Sequence, residues 1–216
     1  GGAGSQLTSG NAGAALGSGL ATLLLVPLFL FITSWVAVSW HRFILKEEYT
    51  GLLPEVSGRP IWPYAWKAIL LALIVMVVAI PLFFILGTLS LPFVGANGGG
   101  GFPIIATLTF MIVFVLISVV SMRLGIALVG TALGEPMPFR DAWAATAPVN
   151  GTIVGVAVIL GIFNAVISLL LIPLTYAIPL IATVVSLGFN WLTMMVGISI
   201  LTTLYGHVIQ ERPLLD

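Results

Sequence analysis

The side chains of this sequence best suited to chemistry are two histidines, an arginine inside an apolar run, a group of glutamates and two asparagines. His41 and His207 carry ring nitrogens that can ligate a metal or pigment, or relay protons. Neither has a partner at a ligand spacing such as His-x-x-Glu-His, and Glu211, four residues after His207, offers a simple ion pair. Both are therefore read as interfacial histidines at helix ends. Arg123 breaks an otherwise apolar run, because Leu124–Gly134 is again uncharged until Glu135. An arginine inside a membrane is costly and by default marks a functional position. The rival reading ends the helix at Arg123 and lets its guanidinium snorkel to the headgroups. The 20 residues from Pro103 to Arg123 are enough to span a bilayer, which favours the rival.

Glu47, Glu48 and Glu55 lie beside Arg42 and Lys46. Paired carboxylates can do acid–base work, but a segment mixing both signs reads first as a solvated loop. The run Pro92–Gly101 is Gly-rich yet lacks the lysine and helix start of a phosphate loop; it reads as a turn. With no cysteine there is neither a disulfide nor a thiolate metal site. No nucleophile stands beside a base, so no catalytic residue, cofactor or metal is expected. Asn164 and Asn190 sit in apolar runs, where they either hydrogen-bond across helices, for about 0.6 kcal/mol, or line a solute path. Gly151 and Gly155 form a GxxxG, and Gly130–Gly134 repeats the spacing. Small residues so placed let helices approach closely.

The elements that must hold these groups follow from composition. Of 216 residues 60% are hydrophobic and only 6% charged, with a mean hydropathy of +1.21. A soluble domain carries about 25% charged residues, so a soluble enzyme and a disordered chain are excluded. A nucleic-acid partner is excluded too, since that would need a basic surface. Charges fall in three clusters, 42–67, 123–141 and 211–216, separated by uncharged stretches of 55 and 69 residues and preceded by one of 41. At about 20 residues per crossing, these hold two, two and one helices. The fold class is an all-α polytopic transmembrane helical bundle of five spans, near Leu20–Ile44, Ala65–Leu89, Pro103–Val129, Gly151–Ile172 and Leu187–Ile209. The runs are continuous rather than alternating, which excludes a β-barrel.

All charged residues lie in the first and third loops, the C-terminal tail or their edges, whereas Gly1–Gly19, Pro92–Phe102 and Pro173–Ser186 have none. The positive-inside bias puts the charged side in the cytoplasm, the N-terminus outside and the C-terminus inside. Residues 1–19 then form an extracytoplasmic flexible segment, 20–209 the transmembrane domain and 210–216 a cytoplasmic tail. Trp40, His41, Arg42, Trp62, Trp66, Arg123, Trp143 and His207 are expected as anchors at the cytoplasmic boundary, with Tyr49, Tyr64 and Tyr205. Trp35 and Trp191 are deeper and suit burial between helices. Pro27, Pro81, Pro173 and Pro179 interrupt or end helices. Leu174–Leu187 is long for a bare turn and predicts a short helix at the outer surface. An uncharged outside tail calls for a signal peptide or a further helix upstream, which would make six spans.

The two halves echo each other. Arg42, a loop, Pro63 and Ala65-Trp66-Lys67-Ala68 open the second helix; Arg123, a loop, Pro138 and Ala142-Trp143-Ala144-Ala145 lead to the fourth. Either this is a parallel two-helix repeat, or each inward helix end separately acquires Arg and Trp at the headgroups. The segments Val36-Ala37-Val38-Ser39-Trp40-His41-Arg42-Phe43-Ile44-Leu45-Lys46-Glu47-Glu48, Arg123-Leu124-Gly125-Ile126-Ala127-Leu128-Val129 and Asp141-Ala142-Trp143-Ala144-Ala145-Thr146-Ala147-Pro148 resemble a group of uncharacterised inner-membrane proteins of α-proteobacteria, over about residues 20–170. That resemblance implies an inner-membrane location and a six-helix precursor, and brings no activity with it. The expected role is a non-enzymatic accessory or scaffold subunit, with membrane lipids and other integral membrane subunits as partners. The alternative is a transporter of a small or lipid-like solute.

Overall fold

A computed structural model describes residues 3–48, 56–90 and 102–213, and the side chains of 22–48, 56–89 and 108–213. It consists of helices α1 (Ala3–Lys46), α2 (Ile61–Ser90), α3 (Phe102–Leu133), the short α4 (Phe139–Ala145), a 3-10 turn (Ala147–Val149), α5 (Asn150–Ala177) and α6 (Pro179–Val208). No strand occurs among the described residues. Five helices are long and apolar enough to cross a membrane: Thr22–Lys46, Ile61–Leu89, Leu108–Leu133, Ala147–Ala177 and Pro179–Val208. In lipid every backbone group must be bonded within the chain, and a helix does this locally. That is why continuous apolar runs take this form. Glu55, Tyr49 and the Gly-rich run 92–101 lie outside the described residues.

Two boundaries differ from the sequence expectation. α1 already begins at Ala3, so most of the segment expected as a flexible loop is helical; no proline precedes Pro27 and alanines recur at 12, 14 and 15. The stretch Leu174–Leu187 makes no separate surface helix. α5 and α6 are parted by Ile178 alone, which is extended (φ −144, ψ 80) and donates its N–H to the Leu174 carbonyl at 2.8 Å. Pro179 explains the corner. Proline excludes helical geometry from the residue before it, and it fits the first helical position, where no N–H partner is needed. Pro27, Pro81 and Pro173 stay inside helices.

α3 is the axis of the bundle and touches α1, α2, α4, α5 and α6. Its half nearest the charged end, Met122–Leu133, is buried at every position. Two clusters meet there, one around Ile126, Val129, Leu133 and Tyr205, the other around Val38, Tyr64, Leu128 and Ile198. Toward the uncharged end the helices turn large apolar side chains outward, among them Phe84, Leu170 and Leu180, as a lipid-facing surface should.

Lipid tails are as apolar as leucine, so helices associate through close packing of small residues. Gly125 and Gly161 do this: a Cβ would stand 2.7 Å from Leu201 Cδ2 and 2.9 Å from Val115 Cγ2, respectively. Gly151 and Gly155, expected to pack, are exposed with nothing within 4 Å of such a Cβ. The buried stripe of α5 is instead Ile153, Ala157 and Gly161, and it rotates the GxxxG outward. Gly161→Val is therefore expected to destabilise the protein by about 1–3 kcal/mol through overpacking. Gly155→Ala should leave it unchanged or slightly more stable. Thermal unfolding of both variants in one detergent checks the contrast.

Candidate functional site: the polar end of the bundle

The charged end is assembled around the C-terminus of α3, where backbone carbonyls have no further turn to accept from. Gly134 takes the left-handed conformation (φ +84), and Glu135 N–H closes onto the Gly130 carbonyl at 2.8 Å. The neighbouring carbonyls are capped by side chains from other helices. Arg42 Nη1 donates to Ala132 O at 3.2 Å, and Lys46 Nζ to Leu133 O at 2.8 Å. Lys67 Nζ donates to Met137 O at 2.6 Å and to Thr131 Oγ1 at 3.0 Å. Arg212 Nη2 does the same for α1, at Leu45 O (3.0 Å), and Arg59 Nη1 reaches Ser39 Oγ at 2.9 Å. Cations at helix C-termini also meet the negative end of the helix dipole. The basic residues that would place this end at the headgroups thus also bind the helices to one another.

Arg42 also grips Glu48 through two bonds, Nε to Oε2 at 2.8 Å and Nη2 to Oε1 at 2.7 Å. The Arg42 hydrogen bond is the main cause that holds the Glu48 carboxyl below its ordinary value of 4.5. A carboxyl lowered on folding adds stability above its unfolded pKa and loses it as pH falls through the folded one. Because the pair is partly solvated, its contribution is small, about 0–1 kcal/mol. Glu48→Gln is expected to be slightly less stable than the parent at pH 7, by a margin that shrinks as the pH falls below 4.5 and the parent's carboxylate takes up its proton, which unfolding across that range checks.

His41 packs inside the bundle rather than on its surface. It is wholly buried, at 0% exposure, with Nδ1 2.8 Å from Thr202 Oγ1 and Nε2 3.4 Å from Tyr64 Oη. Thr202 directs its single hydroxyl hydrogen to the Ile198 carbonyl at 2.8 Å. Its oxygen must then accept from His41, which assigns the Nδ1–H tautomer and leaves Nε2 to accept from Tyr64. Both ring nitrogens are engaged, and neither is left for a metal or as a free base. Thr202 borders a hollow of about 150 Å³ beside Arg212, below the usual 300–1,000 Å³ of ligand pockets. His207 is half-buried; its Nδ1 lies 3.1 Å from Arg212 O, so it bonds that carbonyl rather than Glu211. Among the described residues no group of three His, Asp or Glu is placed to hold a metal.

Arg123 also departs from expectation. α3 continues ten residues past it to Leu133, and the side chain is only 9% exposed. Its Nη2 donates to Trp143 O at 2.7 Å, Nε to Thr146 Oγ1 at 3.2 Å and Nη1 to Asn150 Oδ1 at 3.4 Å. Its guanidinium stacks over the Trp143 ring at 3.6 Å. The agent of this burial is α4, which folds back under α3 and is followed by the 3-10 turn that begins α5. Residues 130–150, a loop by sequence, therefore hold both the end of α3 and the whole of α4; Pro138, Asp141 in the first turn and the Ala-Trp-x-Ala motif are the signals of α4 in the sequence. The two halves of the echo also differ in contact. Arg123 stacks on its downstream tryptophan, whereas Arg42 binds Glu48, and Trp66 points outward at 63% exposure.

Trp62 and Trp66 project from the start of α2, and Trp143 is partly exposed. Trp40 is half-buried with its indole N–H unpartnered. Trp35 is half-buried, but Trp191, expected inside, is exposed on α6. Among the described residues Asn164 and Asn190 make no bond across helices. Each amide donates to its own helix, Asn164 Nδ2 to Leu160 O at 2.9 Å and Asn190 Nδ2 to Ser186 O at 2.8 Å, the local partner that a helix in lipid always supplies. Both nevertheless line one cavity of about 400 Å³ between α3, α5 and α6. Comparison with known proteins finds no matching family model, curated protein or solved structure.

Proposed function

We propose that this chain is an accessory or scaffold subunit of a bacterial inner membrane, packed among lipids and other integral membrane subunits. Its N-terminal end lies outside and its C-terminus in the cytoplasm. The observation that carries the reading is the use of the ionic groups: Arg42, Lys46, Arg59, Lys67, Arg123 and Arg212 all bond groups of this same chain. Cations engaged in this way are withheld from an anionic substrate, and His41 has no free nitrogen for acid–base work. The orientation rests on seven basic residues at one end of the spans and none at the other.

Extraction in mild detergent, followed by a native gel and affinity capture, tests this role. The expected result is migration above the monomer together with defined membrane subunits; a lone monomer would overturn it. The cavity beside Asn164 and Asn190 favours a second reading, transport of a small or lipid-like solute, because solute sites of carriers sit near the bilayer midplane. Uptake into liposomes that Asn164→Ala or Asn190→Ala abolishes would put that reading first.

A further inference from the structure

We propose that the seam between α5 and α6 is a binding site for an uncharged amphiphile, whose hydroxyl group is held by the amides of Asn164 and Asn190. The inference does not depend on the accessory role: a resident lipid and a carried one would bind alike. Four observations lead to it.

The first is an unmet demand for hydrogen bonds. A primary amide offers two donors and two acceptor lone pairs, and each asparagine uses one donor on its own helix. Asn164 lies about 21 Å along α5 from Asn150, at 1.5 Å per residue, which is near mid-membrane. No water is available at that depth, and an unmet polar group there is costly. The second is the absence of charge. The cavity is lined by Asn164, Asn190, Ser168, Ser186, Thr193 and aromatic or aliphatic walls, with no acid or base. Such a lining does not compensate a phosphate or an ammonium, but suits a neutral group that both gives and accepts hydrogen bonds.

The third is the neighbouring space. A second cavity, of about 390 Å³, shares Asn164, Ile167, Phe189 and Thr193 with the first and is otherwise walled by Leu160, Phe163, Leu192 and Val196. A cavity with polar groups on its wall beside an almost wholly apolar one suits a molecule with a hydrogen-bonding end and a hydrocarbon end. The fourth observation is size, which decides against a partner helix. A helix with its side chains is about 10–12 Å across, too wide to enter a cavity of about 400 Å³ lined by α3, α5 and α6. A chain-like molecule fits, since ligand cavities run to about 300–1,000 Å³.

The test uses the full chain in nanodiscs and two photoreactive probes with identical diazirine acyl chains. One is a diacylglycerol, which ends in a hydroxyl; the other is a phosphatidic acid, in which an anionic phosphate takes the place of that hydroxyl. Diacylglycerol is expected to crosslink selectively to the peptides carrying Phe110, Phe114 and Phe189. That labelling should fall about fivefold or more in Asn164→Leu/Asn190→Leu, the loss expected for neutral hydrogen bonds. Asn190→Leu alone, at an exposed position where folding does not need the amide, should show a smaller fall. Three results would overturn the proposal: equal labelling of variants and parent, labelling spread evenly over the lipid-facing helices, or phosphatidic acid labelling these peptides as strongly. Circular dichroism confirms that the variants compared are folded; should the double variant fail to fold, Asn190→Leu decides by the same criteria.

Discussion

Arg123→Ala is expected to destabilise the bundle by about 3 kcal/mol. The substitution removes the donors for Trp143 O, Thr146 Oγ1 and Asn150 Oδ1, and bonds from a charged donor contribute about 1.5–3 kcal/mol each. It also removes the stacking on Trp143, worth about 1–2 kcal/mol where water is excluded. Relaxation of α4 toward water returns part of that sum. Arg123→Lys keeps the charge but not the planar fork, so it should recover only a fraction. Unfolding by increasing denaturing detergent measures both, and a cycle with Trp143→Leu isolates the stacking. If Arg123→Ala unfolded like the parent, the guanidinium would be a headgroup anchor after all.

His41→Leu is expected to cost about 2–4 kcal/mol, although leucine is apolar and close in volume. The loss comes from the partners: Tyr64 Oη and Thr202 Oγ1 would stay buried with one bond fewer each, and an unmet buried polar group costs about 1–3 kcal/mol. Pairing the change with Thr202→Val and Tyr64→Phe removes those groups and should return most of the stability. The same unfolding assay reads it. Failure of the triple variant to recover would mean that His41 acts through something other than these two hydroxyls.

The crossings were legible because lipid imposes a simple rule: a long uncharged apolar run must be helical, and its length counts the spans. The same rule explains what was hidden. Hydropathy is nearly uniform around each helix, so sequence periodicity does not tell which side faces a neighbour. The Gly151–Gly155 pair therefore looked like a packing motif and faces outward, while Gly125 and Gly161 make the close approaches. His41 and Arg123 were read by their distance along the chain from a helix end. Their burial depends on α4 and on the C-terminal turns of α6, which cover the charged end in three dimensions. The asparagines stand out in the sequence as polar groups in apolar runs, but each bonds its own helix and Asn190 is exposed. Their shared cavity needed the relative rotation of α5 and α6, which no local pattern encodes.

The central claim is a five-span bundle whose charged ends all lie on one side of the membrane. The chain has no cysteine, so single cysteines report cleanly. Ser57→Cys and Arg140→Cys lie at the charged end, and Ala177→Cys at the opposite corner; all three positions are exposed. Labelling with a membrane-impermeant maleimide, in spheroplasts and in inside-out vesicles, reads the side directly. The account predicts that Ala177→Cys is labelled only in spheroplasts and the other two only in inside-out vesicles. Labelling of Ala177→Cys from the same side as Ser57→Cys or Arg140→Cys would contradict it.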